Sequence, residues 1–189
     1  NVNDIEEGQT INLTPLLDNI TAKDHLTLQN DSIQAELGTL GQGFTDSIAD
    51  ASKTDDDLLV ITTNANFDIV NSLDQSKIHR IQNIETIRVI AKNDDVGGGV
   101  PINLGNIVNL KNLDLKGTFT NRIKLLNWSQ GQATSFDFSG ITSSKGVNLL
   151  STDASDQTII EPFTLKGSPG DDKLQGLSGN VTIQGLGGN

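Results

Sequence analysis

Near its C-terminal end the chain falls into blocks of nine. They run Gly167-Ser168-Pro169-Gly170-Asp171-Asp172-Lys173-Leu174-Gln175, then Gly176-Leu177-Ser178-Gly179-Asn180-Val181-Thr182-Ile183-Gln184, then Gly185-Leu186-Gly187-Gly188-Asn189. Gly holds the first and fourth positions throughout, and an aliphatic residue the eighth in both complete blocks. Glycine allows the tight turn that lets backbone carbonyls face a cation. Asp172, at position six, supplies the hard oxygen that Ca2+ prefers. Ser168, Gly170 and Asp172 are therefore candidate metal ligands, with Gly187 of the third block as their expected partner across the stack. Val181 takes position six of the second block, so that turn has no carboxylate. The bland alternative is a Gly-rich turn that holds no ion.

A degenerate version lies upstream. Asp46-Ser47-Ile48 and Asp56-Asp57-Leu58 both read as Asp, any residue, aliphatic, after Gly41-Gln42-Gly43. This nominates Asp46 and Asp56 as further ligands, against the plainer reading of Asp55-Asp56-Asp57 as a solvated loop. Asn93-Asp94-Asp95-Val96-Gly97-Gly98-Gly99 reads as a flexible turn. Other chemistry is thinly supported. His25 and His79 sit in no zinc spacing, and neither a nucleophile elbow nor a phosphate-binding loop occurs. The absence of Cys excludes a disulfide scaffold, a thiol nucleophile and a thiolate zinc site. Asp114 and Asp137 follow strand alternation and could share a face, as an acid–base pair would need; outward polar positions are the simpler reading. Trp128, the sole Trp, reads as a core or corner residue or, if exposed, as a sugar platform.

The elements that must position these residues are strands. Short aliphatic runs with alternating polar positions recur: Leu58–Ile61, Ile84–Ile90, Leu113–Gly117, Ile123–Leu125, Phe136–Phe138, Val147–Leu149, Phe163–Gly167, Leu174–Gly176 and Ile183–Gly185. The stretch Ser72 to Ile84 predicts one short helix. From Leu113 onward the strands follow one another too closely for helical crossovers. No Asn-Gly or Asp-Gly marks a hairpin. The pattern predicts an all-β fold, a parallel β-solenoid or β-roll. Its expected parts are an N-terminal β cap or the end of a preceding module (1–40), an irregular solenoid (41–166) and β-roll repeats (167–189).

Composition narrows the function. The 189 residues carry 13 Lys+Arg against 24 Asp+Glu, a formal charge of −11. Nucleic-acid binding needs a basic face and is not expected. No apolar run is long enough to span a membrane. With no Met and a last block that stops at its fifth position, the chain is expected to be an excised piece of a longer protein.

The blocks of nine match the nonapeptide of the calcium β-roll, and the order of the preceding motifs extends the likeness. Asp57-Leu58-Leu59-Val60, a spacer, Ile81-Gln82-Asn83-Ile84-Glu85-Thr86-Ile87-Arg88-Val89, Leu110-Lys111-Asn112-Leu113-Asp114-Leu115 and Ser135-Phe136-Asp137-Phe138-Ser139-Gly140-Ile141-Thr142 lead into Phe163-Thr164-Leu165-Lys166-Gly167. Over residues 41–189 the chain resembles bacterial surface-layer proteins and surface adhesins of the RTX class. The resemblance implies a Ca2+-dependent, largely parallel β-solenoid exported by type I secretion to the bacterial cell surface. It implies a structural role rather than an enzymatic one, with neighbouring copies in a lattice and cell-surface polysaccharide as partners. The alternatives are a carbohydrate-active β-helix of the lyase or epimerase kind and a glycan-binding adhesin domain.

Overall fold

A computed structural model describes residues 8, 10–12, 19–21, 30–36, 47–50, 52–63, 81–91, 101–103, 107–118, 123–126, 135–142, 147–150, 163–175 and 181–187. The strands are β1 (Thr10–Asn12), β2 (Asn19–Thr21), β3 (Ser32–Glu36), β4 (Ser47–Ala49), β5 (Leu58–Thr63), β6 (Ile81–Gln82), β7 (Thr86–Ala91) and β8 (Pro101–Asn103). They continue as β9 (Ile107–Val108), β10 (Asn112–Gly117), β11 (Ile123–Leu126), β12 (Ser135–Ile141), β13 (Val147–Leu150), β14 (Phe163–Lys166), β15 (Lys173–Gln175) and β16 (Val181–Gln184). Among the described residues none is helical. The helix expected over 72–84 is corrected where it is described: Ile81–Gln82 is strand, and 72–80 lie outside the described residues.

Eight strands form one sheet in the order β1-β3-β5-β7-β10-β12-β14-β16. Two four-stranded sheets flank it, β2-β4-β6-β9 and β8-β11-β13-β15. Every pairing among the described residues is parallel, as with Ser32↔Leu58, Leu58↔Thr86 and Thr86↔Asn112. A parallel neighbour cannot be reached by a tight hairpin. Here the chain leaves the large sheet, passes through one small sheet (both between β7 and β10) and returns one strand further along. The architecture is all-β and parallel, compatible with the expected solenoid. The large sheet crosses both expected boundaries, at 40/41 and 166/167, since β3 pairs with β5 and β14 with β16.

In-register stacking sets the core. Ile33, Leu59, Ile87, Leu113, Phe136 and Leu165 occupy one column of the large sheet, each at most 3% exposed. Ile61, Val89 and Leu115 form a parallel column two residues on, and Phe138 lies tilted against Phe136 at 5.9 Å between ring centroids. From the flanking sheet, Ile48, Ile81 and Ile107 make a third buried column. Ile84 and Leu110 plug the corner between the two sheets. Those corners turn at Asn83 and Asn109, both with positive φ, which Asn tolerates better than most residues. The Asn109 amide donates to the Asn83 side-chain oxygen, and Asn83 Nδ2 donates to the Asp50 carbonyl at 2.6 Å.

Phe136→Ala should lower unfolding free energy in urea by about 3–5 kcal/mol, since it empties the middle of a closed column. Thr164→Ala, exposed on the same sheet, should change it by no more than about 0.5 kcal/mol. Equal effects would show that the Phe136 column is not the core.

Candidate metal centre

The residues just before β3, β5, β7 and β10 are Asp31, Asp57, Glu85 and Lys111. Because the following residues are in register, these four stack as a column at the head of the large sheet. The backbone ladder runs through them: Leu58 N–H donates to the Asp31 carbonyl at 2.9 Å, Thr86 N–H to Asp57 at 3.0 Å and Asn112 N–H to Glu85 at 2.8 Å. The side chains reach the other way. Asp57 Oδ1 accepts the Asp31 N–H at 2.8 Å, and Glu85 Oε2 accepts the Asp57 N–H at 3.2 Å. Each acid thus staples its strand to the one before. Lys111 ends the run with its Nζ 4.0 Å from Glu85 Oε1.

A lengthened corner brings two more carboxylates to this column. Between the flanking sheet and the large one, the corner is 83–85 before β7 and 109–111 before β10, but 50–57 before β5. The longer segment is pinned by short-range bonds, Ser52 N–H to Asp50 Oδ2 at 2.5 Å and Thr54 N–H to Ser52 Oγ at 3.2 Å. It turns Asp55 inward, 8% exposed, beside Asp57 and Glu85 at 0%. Asp31 and Asp50 are likewise buried. Two sets of carboxylate oxygens result, Asp31/Asp50/Asp57 and Asp55/Asp57/Glu85, with the oxygens of each set within 4.8 Å of one another. Both Asp55 oxygens, Asp57 Oδ2 and Glu85 Oε1 accept no hydrogen bond. Buried carboxylate oxygens in that condition carry an uncompensated desolvation cost. These clusters could hold a metal ion; oxygen-only donors suit a hard cation.

The electrostatics follow. Burial pushes the Asp57 carboxyl up to about 7; the Asp31 N–H holds it down in part, and the charges of Asp55, Asp50 and Asp31 push it further up. Burial also raises Glu85, opposed by the Asp57 N–H and by Lys111.

The C-terminal turn does bring together the residues nominated there. Asp172 Oδ2 accepts the Ser168 N–H at 2.9 Å, Ser168 Oγ–H donates to Asp172 Oδ1 at 2.6 Å, and Gly170 N–H donates to Ser168 Oγ at 3.2 Å. A side chain on Gly187 would meet the Pro169 carbonyl at 3.0 Å, so the third block packs against the first. Both Asp172 oxygens are thus engaged by Ser168. Among the described residues, the acidic sets that could hold a metal lie upstream of this turn. Asp56 joins neither set: its side chain is 73% exposed, 3.9 Å from Lys111 Nζ, and its N–H donates to Asn30 Oδ1 at 3.0 Å. Asp46, His25, His79, Trp128 and the 93–99 turn lie outside the described residues. Sequence reasoning nominated the outward member of the Asp run and did not single out Asp31, Asp50, Asp55, Asp57 and Glu85, the members of the two sets that could hold a metal. The signal was there: an acid directly precedes the alternating run in Asp31-Ser32-Ile33, Asp57-Leu58-Leu59 and Glu85-Thr86-Ile87.

Asp114 and Asp137 are register partners on β10 and β12, so they do share a face. Both are ion-paired. Asp114 Oδ2 lies 2.5 Å from Arg88 Nε and 3.4 Å from Lys116 Nζ, and Asp137 Oδ2 lies 3.5 Å from Lys166 Nζ. Burial pushes the Asp137 carboxyl up, but bonds from Ser139 and the Lys166 charge outweigh it and hold the group below its usual value.

No protein-family model matches the chain, and neither curated proteins nor solved structures yield a match.

Asp57 sets a pH dependence whose sign is fixed. Between the ordinary carboxyl value of 3.8 and about 7, the folded chain holds a proton that the unfolded chain has lost. Stability is therefore present at the acid end of that window and is lost as pH rises through it. Glu85 acts in the same direction; Asp137, held below 3.8, acts in the opposite one and at pH below this window. In the presence of EDTA, the melting temperature followed by circular dichroism should fall from about pH 5 to about pH 8. Asp57→Asn should flatten that fall. A melting temperature that rises across the window, unchanged by Asp57→Asn, would contradict this assignment.

Proposed function

We propose that this chain is a structural segment of a secreted bacterial surface protein, a surface-layer or adhesin scaffold built as a parallel β-solenoid and clamped by Ca2+. In this reading each coil contributes one strand to the large sheet and one or two to the flanking sheets. The observation that carries the proposal is the buried acid column with its unpartnered oxygens, Asp55 and Asp57 above all. A rod whose coils repel one another at neutral pH becomes compact when a divalent cation enters the column. Each ion offsets two of the formal charges that total −11. That coupling suits a protein exported unfolded and assembled outside the cell. Neighbouring copies and cell-surface polysaccharide are the partners that fit such a scaffold.

A carbohydrate-active reading has one observation in its favour, the register pairing of Asp114 with Asp137. The ion pairs that neutralise both speak against it. Turnover of alginate or pectate, abolished by Asp114→Asn or Asp137→Asn, would replace the structural reading.

Adding EGTA should lower the melting temperature of the chain at neutral pH, and excess Ca2+ should restore it. On source cells, the same chelator should release the protein and erase an ordered surface array seen by electron microscopy. An unchanged melt together with an intact array would overturn the calcium-clamped scaffold.

A further inference from the structure

Asp57 belongs to both acidic sets, and the two sets have no other member in common. The five carboxylates do not form one group around a single point. Asp31 and Asp50 join Asp57 in one set, Asp55 and Glu85 in the other. We propose that the column binds two divalent cations bridged by the Asp57 carboxylate, one also held by Asp31 and Asp50 and the other by Asp55 and Glu85. The inference rests on the reading of this column as a Ca2+ site and adds the number of ions and the way they are shared.

Two observations carry it. The first is reach. A Ca2+–oxygen bond of about 2.3–2.6 Å lets one ion span oxygens up to about 5 Å apart. Each set meets that limit with its oxygens inside 4.8 Å, whereas the five carboxylates together are not such a set. The second is the state of the ligand atoms. Asp57 Oδ1 accepts a single N–H bond and Oδ2 accepts none, so the group has lone pairs for an ion on either side. Asp55 brings two oxygens without hydrogen bonds into the second set, and Glu85 brings Oε1. The remaining coordination positions of each ion fall to water, as is common for Ca2+.

The test counts ions lost. Equilibrium dialysis of the 189-residue chain against Ca2+ gives the number bound per chain, compared with Asp50→Asn, Asp55→Asn and the double variant. Neither carboxylate takes part in the Asp57–Asp31 or Glu85–Asp57 bonds that staple the strands, so the variants keep the ladder. Each single variant should bind one ion fewer, and the double variant two fewer. Counting losses makes the result independent of any ion at the C-terminal turn. In a second measurement the unaltered chain is loaded with Mn2+, and its electron paramagnetic resonance spectrum should show a coupled pair rather than the six lines of isolated ions. If both single variants lose the same ion and the double variant loses no more, or if the Mn2+ spectrum is uncoupled, the bridged pair is overturned. A chelator-sensitive melt alongside that result leaves the calcium-clamped scaffold standing. A chelator-insensitive melt with no ion lost in any variant overturns both.

Discussion

Parallel strands in register place every side chain against its own counterpart on the next strand, about 4.8 Å away. The rest of the structure depends on that constraint. For apolar residues it is favourable: Leu59 on Ile87 and Leu113 on Phe136 build a continuous buried column. For amides it gives a ladder, as where Asn109 donates to Asn83, which in turn donates to Asp50. For carboxylates it is the reverse. Asp31, Asp57 and Glu85 are held in line by the same register that aligns the core, and they cannot move apart without breaking it.

The chain relieves this repulsion in stages. Backbone N–H groups of Asp31 and Asp57 each take one carboxylate oxygen, which is why the acids face along the column rather than away from it. Lys111 then ends the series with opposite charge, although at 4.0 Å and half-exposed it is a weak partner. What remains must be met by a proton or by a cation, and the upward shift of Asp57 to about 7 records that demand. The outer face of the same sheet shows the alternative. There Arg88, Asp114, Asp137 and Lys166 stack in register with their charges balanced, each carboxylate beside its own cation. Asp114 and Asp137 are like charges stacked there too, but each has a cation on its other side, which the acids at the head of the sheet lack except at Lys111.

Much of the fold was legible because strand alternation is a local signal. The runs at Leu58, Thr86, Asn112 and Ser135 each offer three or more alternating positions, and all became strands of the large sheet. The strands of the flanking sheet that carries Ile48, Ile81 and Ile107 span only two or three residues, too few for a period to show. The expected helix over 72–84 has a physical explanation at its end. Ile81 and Ile84 are both buried at a spacing that imitates one helical turn, but a left-handed corner at Asn83 lies between them. The site was half legible for a similar reason. The Asp55-Asp56-Asp57 run was visible as acid. Which members turn inward depends on the alternation leading into β5, and that places Asp55 and Asp57 on the buried side and Asp56 in solvent. Asp31 and Glu85 carry only the local sign of an acid just before a strand, and register is what brings them beside Asp57.

The corner before β5 is longer than its counterparts. Its counterparts at 83–85 and 109–111 turn with one Asn and one apolar plug, Ile84 or Leu110, and make a complete connection. The longer 50–57 segment adds nothing that the turn itself requires. What it adds is Asp50 at the position of those Asn residues and Asp55 beside a column that already holds Asp31, Asp57 and Glu85. Bonds within the segment, from Ser52 N–H to Asp50 Oδ2 and from Thr54 N–H to Ser52 Oγ, hold that arrangement in place. In a metal-free protein this would concentrate negative charge where it is least well solvated, and an Asn such as Asn83 at position 50 would avoid part of it. With hard cations in the column, the same residues become ligands on both sides of Asp57, and the extra length of the corner becomes the means of supplying them.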